Sequence, residues 1–205
     1  MIRFMLFIAM INLAFFASSN SEGGFYAYHI HRESQVTIHG STNINSFFCL
    51  SESHMPRGFI LADFLPAENV LQFTDAQLDL MVSSFDCKNR LMNKDFQNAL
   101  GGKDNPYIHI RLIETHMHDE HKTSNADYLT AVIEILINGV SRTTEVDVEL
   151  NQGDGYTFHV KGSKKLRMSD FNIDPPSPGF GLVRVSDVID IHFNLIVETS
   201  MISQN

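Results

Sequence analysis

Most of the chain alternates between apolar and polar positions with a period of two. In "LDLMV" the apolar set is Leu78, Leu80 and Val82; in "YIHIRLIE" it is Ile108, Ile110 and Leu112, with Tyr107, His109 and Arg111 on the other side. "YLTAVIEILI" carries Leu129, Ala131, Ile133, Ile135 and Ile137, and "TEVDVEL" separates Val146, Val148 and Leu150 from Glu145, Asp147 and Glu149. "YTFHVK" places Tyr156, Phe158 and Val160 together, and "VIDIHFNLIVE" does the same for Ile189, Ile191, Phe193, Leu195 and Val197. Successive strand side chains point to opposite faces, so each run predicts a strand with one face in a core and one in water. Asn138-Gly139 is a strong two-residue hairpin signal, and "NQGDG" at 151–155 joins the next pair. With the polar connection "HMHDEHKTSNAD", residues 106–168 predict a four-stranded antiparallel meander.

One segment departs from this period. "KNRLMNKDFQNALGG" spaces Met92, Phe96, Ala99 and Leu100 as a helical stripe, and Gly101-Gly102 ends it. The pattern therefore predicts a mainly β domain of about eight strands with one short helix over about 88–100. Such a set suits an antiparallel barrel with the helix packed on it or closing one end. "DPPSPGFG" holds three of the six prolines and predicts a loop leading into the last strand.

The first residues bear on compartment. Arg3 precedes an apolar run from Phe4 to Phe16, interrupted only by Asn12, and Ala17, Ser18 and Ser19 follow. This predicts a secretory signal peptide over residues 1–19, since roughly 13 apolar residues are too few to span about 30 Å of hydrocarbon. The remaining chain reads as a lead-in at 20–33, a barrel domain at 34–199 and a tail at 200–205. After cleavage it is expected as an exported protein, periplasmic or secreted, and not an integral membrane protein. The formal net charge of −9 argues against nucleic-acid binding, which needs basic patches. Two cysteines in an exported chain suggest one disulfide, Cys49 to Cys87; two buried free thiols are the alternative.

Candidate chemistry is sparse. "THMHDEH" clusters His116, His118 and His121, and His29 and His31 share one face of a strand; imidazoles so placed could bind zinc, copper or nickel. The plainer reading of the first cluster is a solvated hairpin loop. There is no Gly-x-Ser-x-Gly elbow, no His-Glu-x-x-His and no phosphate-binding glycine loop, so no catalytic residues are expected. The acids of "TEVDVEL" are the wet face of a strand. Periodicity alone leaves open whether the inward aliphatics fill a core or line a cavity, since eight strands permit both.

The ordered motifs "GSTNINSFFC", "DCKNRLMNKDFQNAL" and "DFNIDPPSPGFGLVRVSDVIDIHFNL" resemble the YceI-like family of exported bacterial lipid-binding proteins, over about residues 34–198. Other members often carry a tryptophan near the start and a His-Ser pair in the first strand; here "FYAYHIHRESQVTIHG" occupies that region. The resemblance implies an extended lipocalin-like barrel holding an isoprenoid-type or other long-chain amphipathic lipid, such as a fatty-acyl lipid, with no required cofactor. The expected lining is Ile110, Leu112, Ile133, Ile135, Val146, Val148, Phe158, Ile191, Phe193 and Leu195. An exported metal-binding protein using His116, His118 and His121, or an interaction barrel with a filled core, are the alternatives. "HGSTNINSFFC" is expected as a barrel corner. Gly40 would permit a bend or a close backbone approach, Ser41, Thr42 and Asn43 would satisfy the turn, and Phe47 or Phe48 would pack inward.

Overall fold

A computed structural model describes residues 22–52, 55–117 and 126–202. The expected signal peptide and the positions of His118 and His121 lie outside these residues. Twelve strands form one antiparallel system: β1 (Glu22–Ile30), β2 (Gln35–Ser41), β3 (Ser46–Ser51), β4 (Arg57–Leu65), β5 (Val70–Thr74), β6 (Gln77–Met81), β7 (Phe85–Asp86), β8 (Tyr107–Met117), β9 (Asp127–Ile137), β10 (Val140–Gln152), β11 (Thr157–Arg167) and β12 (Val188–Met201). One α-helix, α1 (Arg90–Ala99), lies between β7 and β8.

The meander appears as expected. Strands β8 to β11 pair in sequence, and Asn138 and Gly139 both take the positive φ that a tight hairpin turn needs. Each of β8 to β12 has at least eleven residues, so each runs roughly 35–45 Å. The other strands are shorter and serve these long ones in tandem. The second half of β12 pairs with β1 through Ile30↔Val197 to Tyr26↔Met201; its first half pairs with β2 through Asn194↔Gln35 to Asp190↔His39. Likewise β8 pairs with β6 over Tyr107–Arg111 and with β5 over Glu114–His116. An eight-stranded ring, β1-β4-β5-β8-β9-β10-β11-β12, thereby closes one half of the barrel. The row β2-β3-β7 on one side and β6 on the other wall the second half, and a 3-10 turn over Val82–Ser84 links β6 to β7.

Four expectations are corrected. Residues 20–33 do not form a lead-in outside the barrel: they contain β1, which pairs on both edges, with β4 and β12. The tail expected from residue 200 begins inside β12, which continues to Met201. Val82, expected on the strand of Leu78 and Leu80, starts the 3-10 turn and is buried beside Phe85 in the core. Gly40 is needed for a reason other than the backbone approach expected. The ring of Phe47, opposite it in register, lies where a Cβ would stand.

The corner itself is a hydroxyl-capped turn. Thr42 Oγ1 accepts from the amides of Ile44 and Asn45, both at 3.0 Å. Asn43 reaches across the barrel end: its Oδ1 accepts from Arg184 N at 2.8 Å, and its Nδ2 donates to Leu182 O at 3.1 Å. Phe47 turns into the barrel, whereas Phe48 is half exposed beside His39.

Cys49 and Cys87 form a disulfide across 38 positions, tying β3 to the entry of α1. The same entry is braced by polar contacts. Asn89 caps the helix by accepting from Leu91 N and Met92 N, and Asn93 Oδ1 accepts from Cys87 N at 2.7 Å. Asp86 takes Lys88 Nζ at 2.7 Å, Lys88 N at 2.9 Å and Asn93 Nδ2 at 3.1 Å. The Lys88 hydrogen bond, then those of Asn93 and the Lys88 amide, hold the Asp86 carboxyl down at about 2.

Replacing both cysteines with Ser should lower stability by roughly 2–4 kcal/mol in urea unfolding under oxidising conditions. The difference should vanish when both proteins are reduced. For Asp86, the depressed folded value means its contribution is complete above the ordinary carboxylate range and disappears as pH falls towards 2. Asp86→Asn should therefore lose stability relative to the parent at neutral pH, and the gap in melting temperature should narrow on acidification through pH 4 to 2.

Candidate functional site

The inward faces of the strands enclose a cavity of about 1050 Å³ that runs between the two ends of the barrel. This is at the upper end of the roughly 300–1,000 Å³ usual for small-molecule sites. All ten residues expected as lining face it: Ile110 and Leu112 from β8, Ile133 and Ile135 from β9, Val146 and Val148 from β10, Phe158 from β11, and Ile191, Phe193 and Leu195 from β12. Their alternation gives β9 an apolar row from Leu129 to Ile137 and β12 one from Ile189 to Val197.

The opposite wall escaped the sequence reading. β1 supplies Tyr26 and Tyr28, β4 supplies Ile60, Ala62 and Phe64, and β5 supplies Leu71 and Phe73. Their alternation is masked because the outer face is apolar too: Phe25 stacks on Phe59 at 5.7 Å, and Phe59 and Leu61 are exposed. The one usable signal was the opposed triplet Tyr26, Tyr28, Ile30 against His29 and His31.

A bulge in β8 changes which residues face the lumen. Pairing with β9 shifts between Leu112 and Glu114, leaving Ile113 as the extra residue. Simple alternation from Ile108, Ile110 and Leu112 would carry Glu114 and His116 inward. The bulge reverses the phase, so Thr115 and Met117 line the cavity. The outward His116 contacts Glu114 through Nε2–Oε1 at 3.1 Å. Of the histidine cluster proposed as a metal centre, only His116 lies among the described residues.

Two glycines keep the lumen open. Phe47 lies over Gly40 and Phe193 over Gly162, each ring occupying the space of the missing side chain of its cross-strand partner. The aromatic rings therefore cover the wall instead of spanning the barrel.

Polar groups inside are few. Tyr28 OH donates to Gln77 O at 3.0 Å, joining β1 to β6, which are not paired strands. Burial and then the Asp79 charge push its phenol above the ordinary value, so it stays neutral at physiological pH. Thr115 is buried on β8, and Lys164 reaches from the lining to Glu145 O. No arrangement of nucleophile and base stands among these groups.

At one end, α1 lies across the barrel with Met92, Phe96 and Ala99 towards the cavity, the buried Leu100 caps it, and Phe96 packs on Phe85 at 5.2 Å. None of its residues is fully buried. Beside it, Ile44 and Leu91 reach the cavity yet stand 70% and 64% exposed, forming an apolar lip. Leu182, whose carbonyl is held by Asn43, is exposed on the neighbouring loop.

The YceI-like domain profile matches residues 18–197. The chain belongs to the YceI-like family. Two solved structures have the same fold as this YceI-like chain. One is BcnA of Burkholderia cenocepacia, 18% identical, with a TM-score of 0.61 over 82% of this chain and 99% of that one. The other is a polyisoprenoid-binding domain from Saccharophagus degradans, 8% identical, with a TM-score of 0.61 over 85% of this chain and 98% of that one. No curated protein matches the chain. Among its described residues, no helix is long and apolar enough to cross a membrane.

Ala76, between β5 and β6, is half-buried and faces the cavity. A hollow barrel should accept Ala76→Phe with little change in melting temperature, because the new ring enters the lumen. A filled core would lose roughly 1–3 kcal/mol to overpacking. Thermal unfolding of the ligand-stripped variant against the parent separates the two.

Proposed function

We propose that this YceI-like barrel binds and carries an isoprenoid-type or other long-chain lipid, and performs no chemistry on it. The observation that carries the reading is the end-to-end apolar cavity. A flexible hydrocarbon chain gains about 25 cal/mol for each Å² of apolar surface it removes from water, and it asks for a long dry channel with few polar contacts. The long strands provide the length, and the scarcity of inward polar groups provides the dryness. The Saccharophagus degradans structure, described as a polyisoprenoid-binding domain, has this fold.

The lip of Ile44 and Leu91 is the entrance in this reading. Both side chains are in contact with the cavity and with solvent, so a chain sliding past them stays on apolar surface. The disulfide fits an oxidising compartment, in keeping with the expected export. Of the three histidines in the metal reading, only His116 lies among the described residues, where it contacts Glu114 on the outer face.

Organic extraction of the purified protein followed by mass spectrometry should recover one long-chain lipid per barrel. Ala76→Phe should reduce that occupancy while leaving the fold intact. An empty parent protein that takes up none of several isoprenoids and fatty acids would sink the reading. Ile44→Glu with Leu91→Glu should slow uptake from vesicles at least about tenfold without changing the melting temperature, since each carboxylate makes the lip polar.

A further inference from the structure

The exterior of the barrel carries a second constellation, placed where the first strand meets the last. His29 lies on β1 directly opposite Glu198 of β12, and both point away from the cavity. His31, just beyond the end of β1, brings its Nε2 to 3.3 Å from Glu198 Oε2. The two imidazoles stack with centroids 5.0 Å apart. One ligand atom from each of the three residues lies within 4.8 Å of the others. We propose that His29, His31 and Glu198 form a site for a divalent transition-metal ion of the zinc class, which clips β1 to β12.

The chemistry and the geometry agree. Two neutral imidazole nitrogens and one carboxylate oxygen are ordinary zinc ligands at about 2.0–2.2 Å, with water free to complete a tetrahedron. Donor atoms on such a tetrahedron stand about 3.3 Å apart at those bond lengths. The His31–Glu198 pair is already at that separation, and His29 closes the rest by side-chain rotation at an exposed position.

The backbone around the site is fixed. His31 N donates to Ile196 O at 2.8 Å, and Ser34 N donates to His31 O at 3.0 Å. The buried Ser34 hydroxyl accepts from Ile196 N at 2.9 Å. These bonds hold the turn where β1 leaves β12 and β2 takes its place, so the histidine on that turn has little freedom to lose on binding. The charged neighbours in register are Arg57, across from His29 on β4, and Arg32, which pairs with Glu33. An ion here would join three points on the seam that closes the eight-stranded ring. That joint runs over only five residue pairs. The proposal is independent of the lipid reading, because the site lies on the outer face.

The test uses the untagged full chain, stripped of metal and then dialysed against micromolar zinc chloride. The parent should hold one zinc ion per chain, and zinc at a hundredfold excess over Kd should multiply the folding equilibrium about 100-fold. His29→Gln with His31→Gln should weaken binding by at least about tenfold and remove that stabilisation. His116→Ala, His118→Ala and His121→Ala together should leave both unchanged. Cobalt(II) added to the parent should give the visible absorption of a four-coordinate nitrogen and oxygen site, a readout that does not depend on any variant folding. Undiminished zinc binding by the His29 and His31 variant overturns the proposal. So does a parent chain that takes up no zinc, or one whose zinc is lost only with His116, His118 and His121.

Discussion

The structure depends on satisfying the backbone of two long edges. Strands β8 to β12 form a five-stranded sheet whose outer strands, β8 and β12, each offer a full row of amides and carbonyls. Unpaired, these would be costly to bury and prone to pair with another chain. Among the described residues, no other strand is long enough to cover either row alone. The solution is two short partners end to end on each edge: β1 then β2 along β12, and β5 then β6 along β8. The chain changes partner at the buried Ser34 on one side. On the other it does so at the positive-φ Asp75, next to the Leu112 amide that donates to Ala76 O.

The hollow follows from this arrangement. Two tandem walls allow an enclosure as long as the long strands themselves, which is more than side chains from a single ring would fill. The residues then keep it open. Branched aliphatics project a short distance, and the rings of Phe47 and Phe193 occupy the space over Gly40 and Gly162. α1 covers one end without burying any residue completely, and the disulfide and the Asp86 network fasten its entry. The same tandem pairing gives the barrel a seam at its outer face, where residues 29, 31 and 198 converge although they are distant in sequence.

Much of this was legible in the order of residues. The rows on β9, β10, β11 and β12 have clean alternation, Asn138-Gly139 is a turn by its own chemistry, and Met92, Phe96, Ala99 and Leu100 can share a face only in a helix. These are local properties, set by the period of the backbone and the preferences of a few residues. Hence the cavity lining from those strands was identifiable. The wall from β1, β4 and β5 was not, because an outer surface bearing Phe25, Phe59 and Leu61 erases the contrast on which periodicity relies.

Tertiary structure alone decided the rest. Alternation cannot announce a single extra residue, so the reversal of phase at Ile113 became visible only once β8 was paired with β9. The need for Gly40 and Gly162 came from rings on neighbouring strands. The open lumen of about 1050 Å³ is a property of the closed barrel that no local pattern encodes. By itself the sequence determined which residues of β9 to β12 could face inward; pairing between remote strands determined the rest of the lining and what it encloses.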